Sequence, residues 1–161
     1  MNDLIEKIRL QQDINNFYTD YCDVLCESQI ENWPSYFTND ALYRITTKEA
    51  IEEKYLINIV FCDGKKMIKD RAIGIQKAVF FRRQIERKVI GNIRIIETEN
   101  MQINVSTSFF IVKSIEGYPP SLLCSGISKD IIAMDKNQLR FKQRLCILDA
   151  DVLPDSLVYP I

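Results

Sequence analysis

The sequence predicts an α+β domain in which helices lie across one face of a curved, largely antiparallel sheet. Three observations carry this expectation. Helical apolar stripes are confined to the first half of the chain. From residue 80 onward, long branched and aromatic segments alternate with turn signals. The 161 residues, 47% hydrophobic and 27% charged, suit one domain that buries roughly 68–70% of its unfolded surface. No repeat or low-complexity linker divides the chain. Residues 1–161 are therefore read as a single domain, with 1–10 as a loose N-terminal arm and 150–161 as an apolar tail that packs either at an interface with a partner or across its own sheet.

The elements follow in order. Over residues 10–28, Ile14, Phe17, Tyr18, Tyr21, Val24 and Leu25 recur at helical spacing and form one stripe to bury. Ile30, Trp33 and Phe37 give a second, shorter stripe, with Pro34 tolerable in its first turn. Asn39-Asp40 reads as a turn and Ala41 to Thr46 as a short strand. Thr46 and Glu49 have capping-box spacing for a brief helix. Tyr55 to Cys62 fits either a strand or the start of a helix. Lys65 to Ile75 carries Met67, Ile68, Arg71 and Ala72 at helical spacing. Val89–Glu97, Gln102–Lys113, Ser121–Met134 and Leu139–Leu148 then read as strands. In the last, Leu139, Phe141, Leu145 and Ile147 alternate with Arg140, Lys142 and Arg144, which predicts a buried apolar face and a wet basic one. A sheet bent strongly enough for helices to close it makes a cone with an internal pocket.

Composition limits the chemistry. The net charge of −1 offers no general field for nucleic acid or an anionic membrane, and neither is expected as a partner. The basic cluster Arg82, Arg83, Arg87 and Lys88 reads more simply as a solvated face with acidic neighbours such as Glu86. Histidine is absent, which removes Ser–His and Cys–His catalysis, imidazole bases and every His-bound metal site. The start of the chain is not a secretory signal and no apolar run reaches a membrane span, so a cytoplasmic location is expected. The five cysteines should then be reduced; Cys22 and Cys26, four apart, read as small buried hydrophobes rather than half a metal site. The acceptor-like string Asn104-Val105-Ser106 carries no weight without secretion.

Two stretches, ENWPSYFTNDALYRI (31–45) and LRFKQRLCILDADVLPDSLVYPI (139–161), take the reading further. With them the chain resembles the small (beta) subunit of Rieske-type aromatic-ring-hydroxylating dioxygenases over roughly residues 11 to 161. Leu25, Cys26, Glu27, Trp33, Phe37, Asp40 and Tyr43 match the first family motif. Asp63 and Arg71 match an Asp-then-Arg helix, and Asn92 in RKVIGNIRI (87–95) matches the Asn of the next strand. Arg144, Asp149 and the Leu-Pro-x-Ser-Leu tail, with Pro154, match the final block. One departure is Lys88, which stands where many members have His; it reads as a change in an ion pair or subunit contact.

The resemblance implies the cone fold of the nuclear transport factor 2-like (cystatin-like, SnoaL-like) superfamily: a strongly curved mixed or antiparallel sheet with N-terminal helices on its concave face. It further implies a non-catalytic structural subunit in an α3β3-type assembly for aromatic compound catabolism. The large alpha subunit would carry a Rieske cluster, held by two His and two Cys, and a mononuclear iron on two His and a carboxylate. No cofactor or metal is expected in this chain; the expected partners are its own homotrimer and the alpha subunit. Trp33, Phe37, Asp63, Arg71, Lys88, Asn92, Arg144, Asp149 and Pro154 are then structural or interface positions. The alternative is a stand-alone isomerase or cyclase of the same fold. It would place Asp40, Tyr43, Tyr18, Asn92 and Arg94 in the pocket as acid, base or oxyanion donors.

Overall fold

A computed structural model describes residues 2–27, 29–77, 84–153 and 157–161. The element order is α1 (Asn2–Cys26), a 3₁₀ helix (Ile30–Tyr36), β1 (Phe37–Thr47), α2 (Lys48–Glu52), β2 (Val60–Asp63), α3 (Lys65–Lys77), β3 (Gln84–Glu99), β4 (Gln102–Ile115), β5 (Ser121–Asp135) and β6 (Gln138–Leu148). All six strands form one sheet in the order β2-β1-β6-β5-β4-β3. Only the β1–β6 pair is parallel.

The predicted helical stripe is the buried face of α1: Ile14, Phe17, Tyr18, Tyr21 and Leu25 all lie in the core. The helix begins earlier than its stripe. Residues 4–10, suggested by the sequence as part of a loose arm, are helical, with Leu4, Ile5 and Ile8 exposed. The second stripe forms a 3₁₀ helix, and Phe37, at its end, opens β1 instead. Together α1 and this helix bring Phe17, Tyr21 and Trp33 against Phe37, Tyr43 and Phe141 of the sheet. Ring centroids are 4.7 Å apart for Phe17–Phe141, 5.1 Å for Tyr21–Phe141 and 5.2 Å for Trp33–Tyr43, all edge to face.

Bulges bend the sheet around this aromatic core. In β1 the pairing with β6 passes from Phe37↔Phe141 to Leu42↔Gln143, so residues 38–41 bow out of the ladder. The predicted turn at Asn39-Asp40 is this bow, inside a strand and not between elements. In β3 the register breaks between Gly91 and Arg94, where Asn92 takes a φ of 50°, a left-handed conformation that asparagine tolerates. In β5 Leu123 is the extra residue between Leu122↔Val112 and Cys124↔Ile111. In β6 it is Lys142, between Phe141↔Ile132 and Gln143↔Ile131.

The Lys142 bulge corrects the sequence reading of the last strand. Simple alternation places Arg144 on the wet face. The extra residue reverses the faces, so Phe141, Arg144 and Cys146 are fully buried while Leu145 turns to the outer side. Three smaller differences follow from local chemistry. The cap of α2 is Thr47, whose Oγ1 accepts from the Ala50 N–H at 3.1 Å, and not Thr46. The Tyr55–Cys62 run becomes strand only from Val60, and Tyr55, Leu56 and Ile57 stand exposed before it. At Gly126, a Cβ would collide with the Ile147 carbonyl and the Phe109 ring, so the close packing of β5 on β6 requires glycine there.

Trp33 is fully buried between the helices and the sheet. Trp33→Ala is expected to cost ~3–5 kcal/mol in denaturant unfolding followed by far-UV circular dichroism. A loss below about 1 kcal/mol would place the indole outside the core.

Candidate functional site

The centre of the concave side holds a fully buried guanidinium. The bulge at Lys142 turns Arg144 inward, and the β5–β6 register sets Asp130 directly opposite it. Arg144 Nη1 donates to Asp130 Oδ2 at 2.6 Å, with both side chains wholly inaccessible. The same oxygen accepts from Tyr18 Oη on α1 at 2.6 Å and from Ser128 Oγ on β5 at 2.6 Å. Ser128 in turn shares a 2.8 Å hydrogen bond with Thr107 on β4. The guanidinium carbon lies 4.9 Å from the ring centres of Tyr21 and Phe141, so aromatic faces screen the rest of the cation.

The tail completes the network. Residues 157–161 turn into the fold, and Ile161 is 2% exposed. Its carbonyl accepts from Tyr21 Oη at 2.7 Å and Arg144 Nε at 3.0 Å. Its N–H donates to Tyr43 Oη at 3.0 Å, and Trp33 Nε1 donates to Tyr21 Oη at 3.1 Å. The space expected as an internal pocket is thus occupied, at this level of the cone, by the chain's own residues.

Burial governs the titration of these groups. It pushes the Asp130 carboxyl above the ordinary carboxylate value, against the pull of Arg144, Ser128 and Tyr18. Burial alone would lower the Arg144 guanidinium, but Asp130 holds it well above its ordinary value, so it stays a cation. Tyr18 and Tyr43 are raised well above 10 by burial. Burial also pushes the Cys146 thiol up to about 12, and Cys22 and Cys124 to about 11. Tyr18, Tyr43 and these thiols therefore stay protonated near neutral pH, and the thiols are not activated nucleophiles.

Of the five residues in the alternative enzymatic reading, only Tyr18 and Tyr43 point into the cone. Asp40 is exposed on the β1 bow, where Thr38 Oγ1 donates to it at 2.8 Å and holds its carboxyl low. Asn92 and Arg94 are exposed on β3. The set does not converge. Among the family-motif positions, Trp33 and Phe37 belong to the hydrophobic core and Arg144 is fully buried. Arg71 reaches the tail, its Nη2 donating to the Val158 carbonyl at 3.3 Å. Asp149 accepts from Ser125 Oγ at 2.8 Å and closes the end of β6 onto β5. Asp63 is exposed at the end of β2, and Pro154 lies outside the described residues.

Lys88 forms a second buried ion pair, its Nζ 2.9 Å from Glu86 Oε2 with side chains 3% and 4% exposed. The ammonium lies 5.9 Å from the Tyr159 ring centre. The basic cluster therefore does not share one face: Arg87 is exposed, Lys88 points inward, and Arg82 and Arg83 lie outside the described residues. Cys22 and Cys26 are half-buried, and no group of three His, Cys, Asp or Glu side chains converges among the described residues. Sequence reasoning missed Asp130, Ser128, Tyr21 and Ile161 as site residues. The available signal was Asp130 itself, an acid set directly before the apolar run Ile131 to Met134.

Removing one partner of the central pair leaves an uncompensated buried charge. Arg144→Met and Asp130→Leu are each expected to cost ~3–5 kcal/mol, and the double variant Asp130→Leu/Arg144→Met to cost much less than the two losses added. Additive losses in the double-mutant cycle would show that the pair is not coupled. Raised thiol values also fix a pH dependence. The native state keeps these protons where the unfolded chain, with thiols near 8.5, releases them, so their contribution is complete below about pH 8.5 and declines above it. The melting temperature should fall progressively from about pH 9 to pH 12, and less steeply in Cys146→Ala. An identical slope in the variant would remove Cys146 from this account.

No protein-family model matches the chain. Curated relatives do. The small subunit of anthranilate 1,2-dioxygenase from Burkholderia cepacia is 23% identical over 161 residues, covering all of both chains. The terminal oxygenase component subunit beta 1 of terephthalate 1,2-dioxygenase from a Comamonas species is 25% identical over 145 residues, covering 90% of this chain and 94% of the relative. Among solved structures, one described as the beta subunit of an aromatic-ring-hydroxylating dioxygenase from Novosphingobium aromaticivorans superposes with a TM-score of 0.87 at 25% identity, covering 98% of this chain and 99% of that one. In sequence over its whole length, and in fold, the chain is similar to the small (beta) subunits of aromatic-ring-hydroxylating dioxygenases.

Proposed function

We propose that this chain is the non-catalytic beta subunit of an aromatic-ring-hydroxylating dioxygenase and supports a metal-bearing alpha subunit in an α3β3-type assembly. The observation that carries the reading is the full-length likeness to such subunits in a fold whose concave centre is filled by its own tail. The two iron centres of the reaction both need imidazole ligands, and this chain contains no histidine. The residues present do not fit either group, so no step of oxygen activation runs through this chain.

A platform subunit needs apolar surface for its neighbours, and the outer face supplies it. Val89 on β3 pairs directly with Phe110 on β4, Leu122 on β5 sits opposite Val112, and Ile127 lies diagonal to Phe110. All four large side chains Val89, Phe110, Leu122 and Ile127 are exposed. A separate exposed group, Tyr55, Leu56, Ile57, Ile59 and Phe61, lines the β2 edge. Two distinct apolar surfaces suit a ring in which each copy meets its neighbours through different faces.

Light scattering after gel filtration tests this directly. The wild-type chain of 18.8 kDa is expected at the mass of a trimer, about 56 kDa. Phe110→Glu should shift it to a monomer while changing folding stability by no more than about 0.5 kcal/mol, as for a surface substitution. A wild-type monomer would contradict the platform reading.

A further inference from the structure

Both main-chain groups of Ile161 are held by side chains, not by a helix or a sheet ladder. Two donors, Tyr21 Oη at 2.7 Å and Arg144 Nε at 3.0 Å, converge on its carbonyl, and Tyr43 Oη takes its N–H at 3.0 Å. Trp33 Nε1 orients Tyr21 from behind at 3.1 Å. The wall offers more than the tail uses: Arg144 Nη2 is buried with no hydrogen-bond partner among the described residues. On its other side the tail is only half-buried over residues 157–159. A groove of about 410 Å³ lies between Val158 and α3, lined by Arg71, Gly74 and Ile75. There Arg71 Nε has no partner, and its Nη2 reaches the Val158 carbonyl only at 3.3 Å.

We infer that residues 157–161 are a detachable plug in a carbonyl-binding pocket, and that a free carbonyl or carboxylate compound with a branched aliphatic group takes the same place when the plug leaves. This class is set by the occupant: the main-chain oxygen of Ile161 in the Tyr21–Arg144 hole, its N–H on Tyr43 and a branched side chain buried in the core. The inference stands independently of the platform reading. Tethered to the fold, the tail acts at a high effective concentration and excludes a free ligand from the intact chain. Opening is local, because few main-chain hydrogen bonds tie the segment to the sheet.

Two measurements on the full-length chain decide it. In native-state hydrogen exchange of the wild type, the amides of Leu157, Val158, Tyr159 and Ile161 should exchange at least about tenfold faster than those of Phe109 and Ile132 in the central strands. Equal rates would make the tail part of the cooperative core and overturn the inference. The second probe is the fluorescence of Trp33, the only tryptophan, during titration with N-acetyl-isoleucine. In Ile161→Gly, which keeps the chain but removes the anchoring side chain, a saturable change is expected at least about tenfold tighter than in the wild type. It should be lost when Tyr43→Phe is added. A natively folded Ile161→Gly with no saturable response would refute the pocket; if that variant does not fold, the exchange rates decide alone.

Discussion

The buried guanidinium of Arg144 is the constraint on which the rest of this structure depends. Taking the Arg144–Asp130 pair out of water costs several kcal/mol per ion, and only near-complete hydrogen bonding offsets it. The partners come from everywhere in the fold. Tyr18 is supplied by α1, Asp130 and Ser128 by β5, the Ile161 carbonyl by the tail, and Tyr21 and Phe141 supply the aromatic cover. Thr107 extends the chain of bonds to β4 through Ser128. Each partner must arrive in one place, so the network fixes the seat of α1, the β5–β6 register and the path of the tail together.

Much of this architecture was legible in the sequence, and the exceptions have one physical origin. Period 3.6 placed Ile14, Phe17, Tyr18 and Tyr21 on one face, and turn residues separated the four long strands. Periodicity assumes regular elements, however, and bulges break it. One extra residue at Lys142 sent Arg144 into the core, against the alternation that put it in water. Residues 38–41, bowed from β1, turned an apparent inter-element turn into part of a strand. Asp130 was hidden for a related reason: an acid directly before an apolar run shows its partner only once the register is known. The inward path of Leu157 to Ile161 was equally beyond local pattern, since an apolar tail packs as readily on a neighbour as on its own sheet.

The same network separates what the interior does from what the surface does. Tyr18 and Tyr43 face inward, as a pocket enzyme would need, but their hydroxyls are committed to Asp130 and Ile161 and burial keeps them protonated. Asp40, Asn92 and Arg94 stand outside on bulged backbone. The interior is therefore organised around fixed hydrogen bonds and not around a free acid or base. The apolar side chains left over, from Val89 and Phe110 to Leu56 and Ile57, lie outside, where neighbouring subunits can cover them.

The central claim is that the chain supplies an assembly surface and not the reaction. Native mass spectrometry of the chain co-expressed with a ring-hydroxylating dioxygenase alpha subunit from the same genome, with iron quantified on the separated subunits, tests it most directly. The expected result is an equimolar complex, with all iron on the alpha subunit and no stable assembly of that subunit without this chain. An alpha subunit that assembles and turns over equally well alone, or iron retained by this chain, would contradict the account.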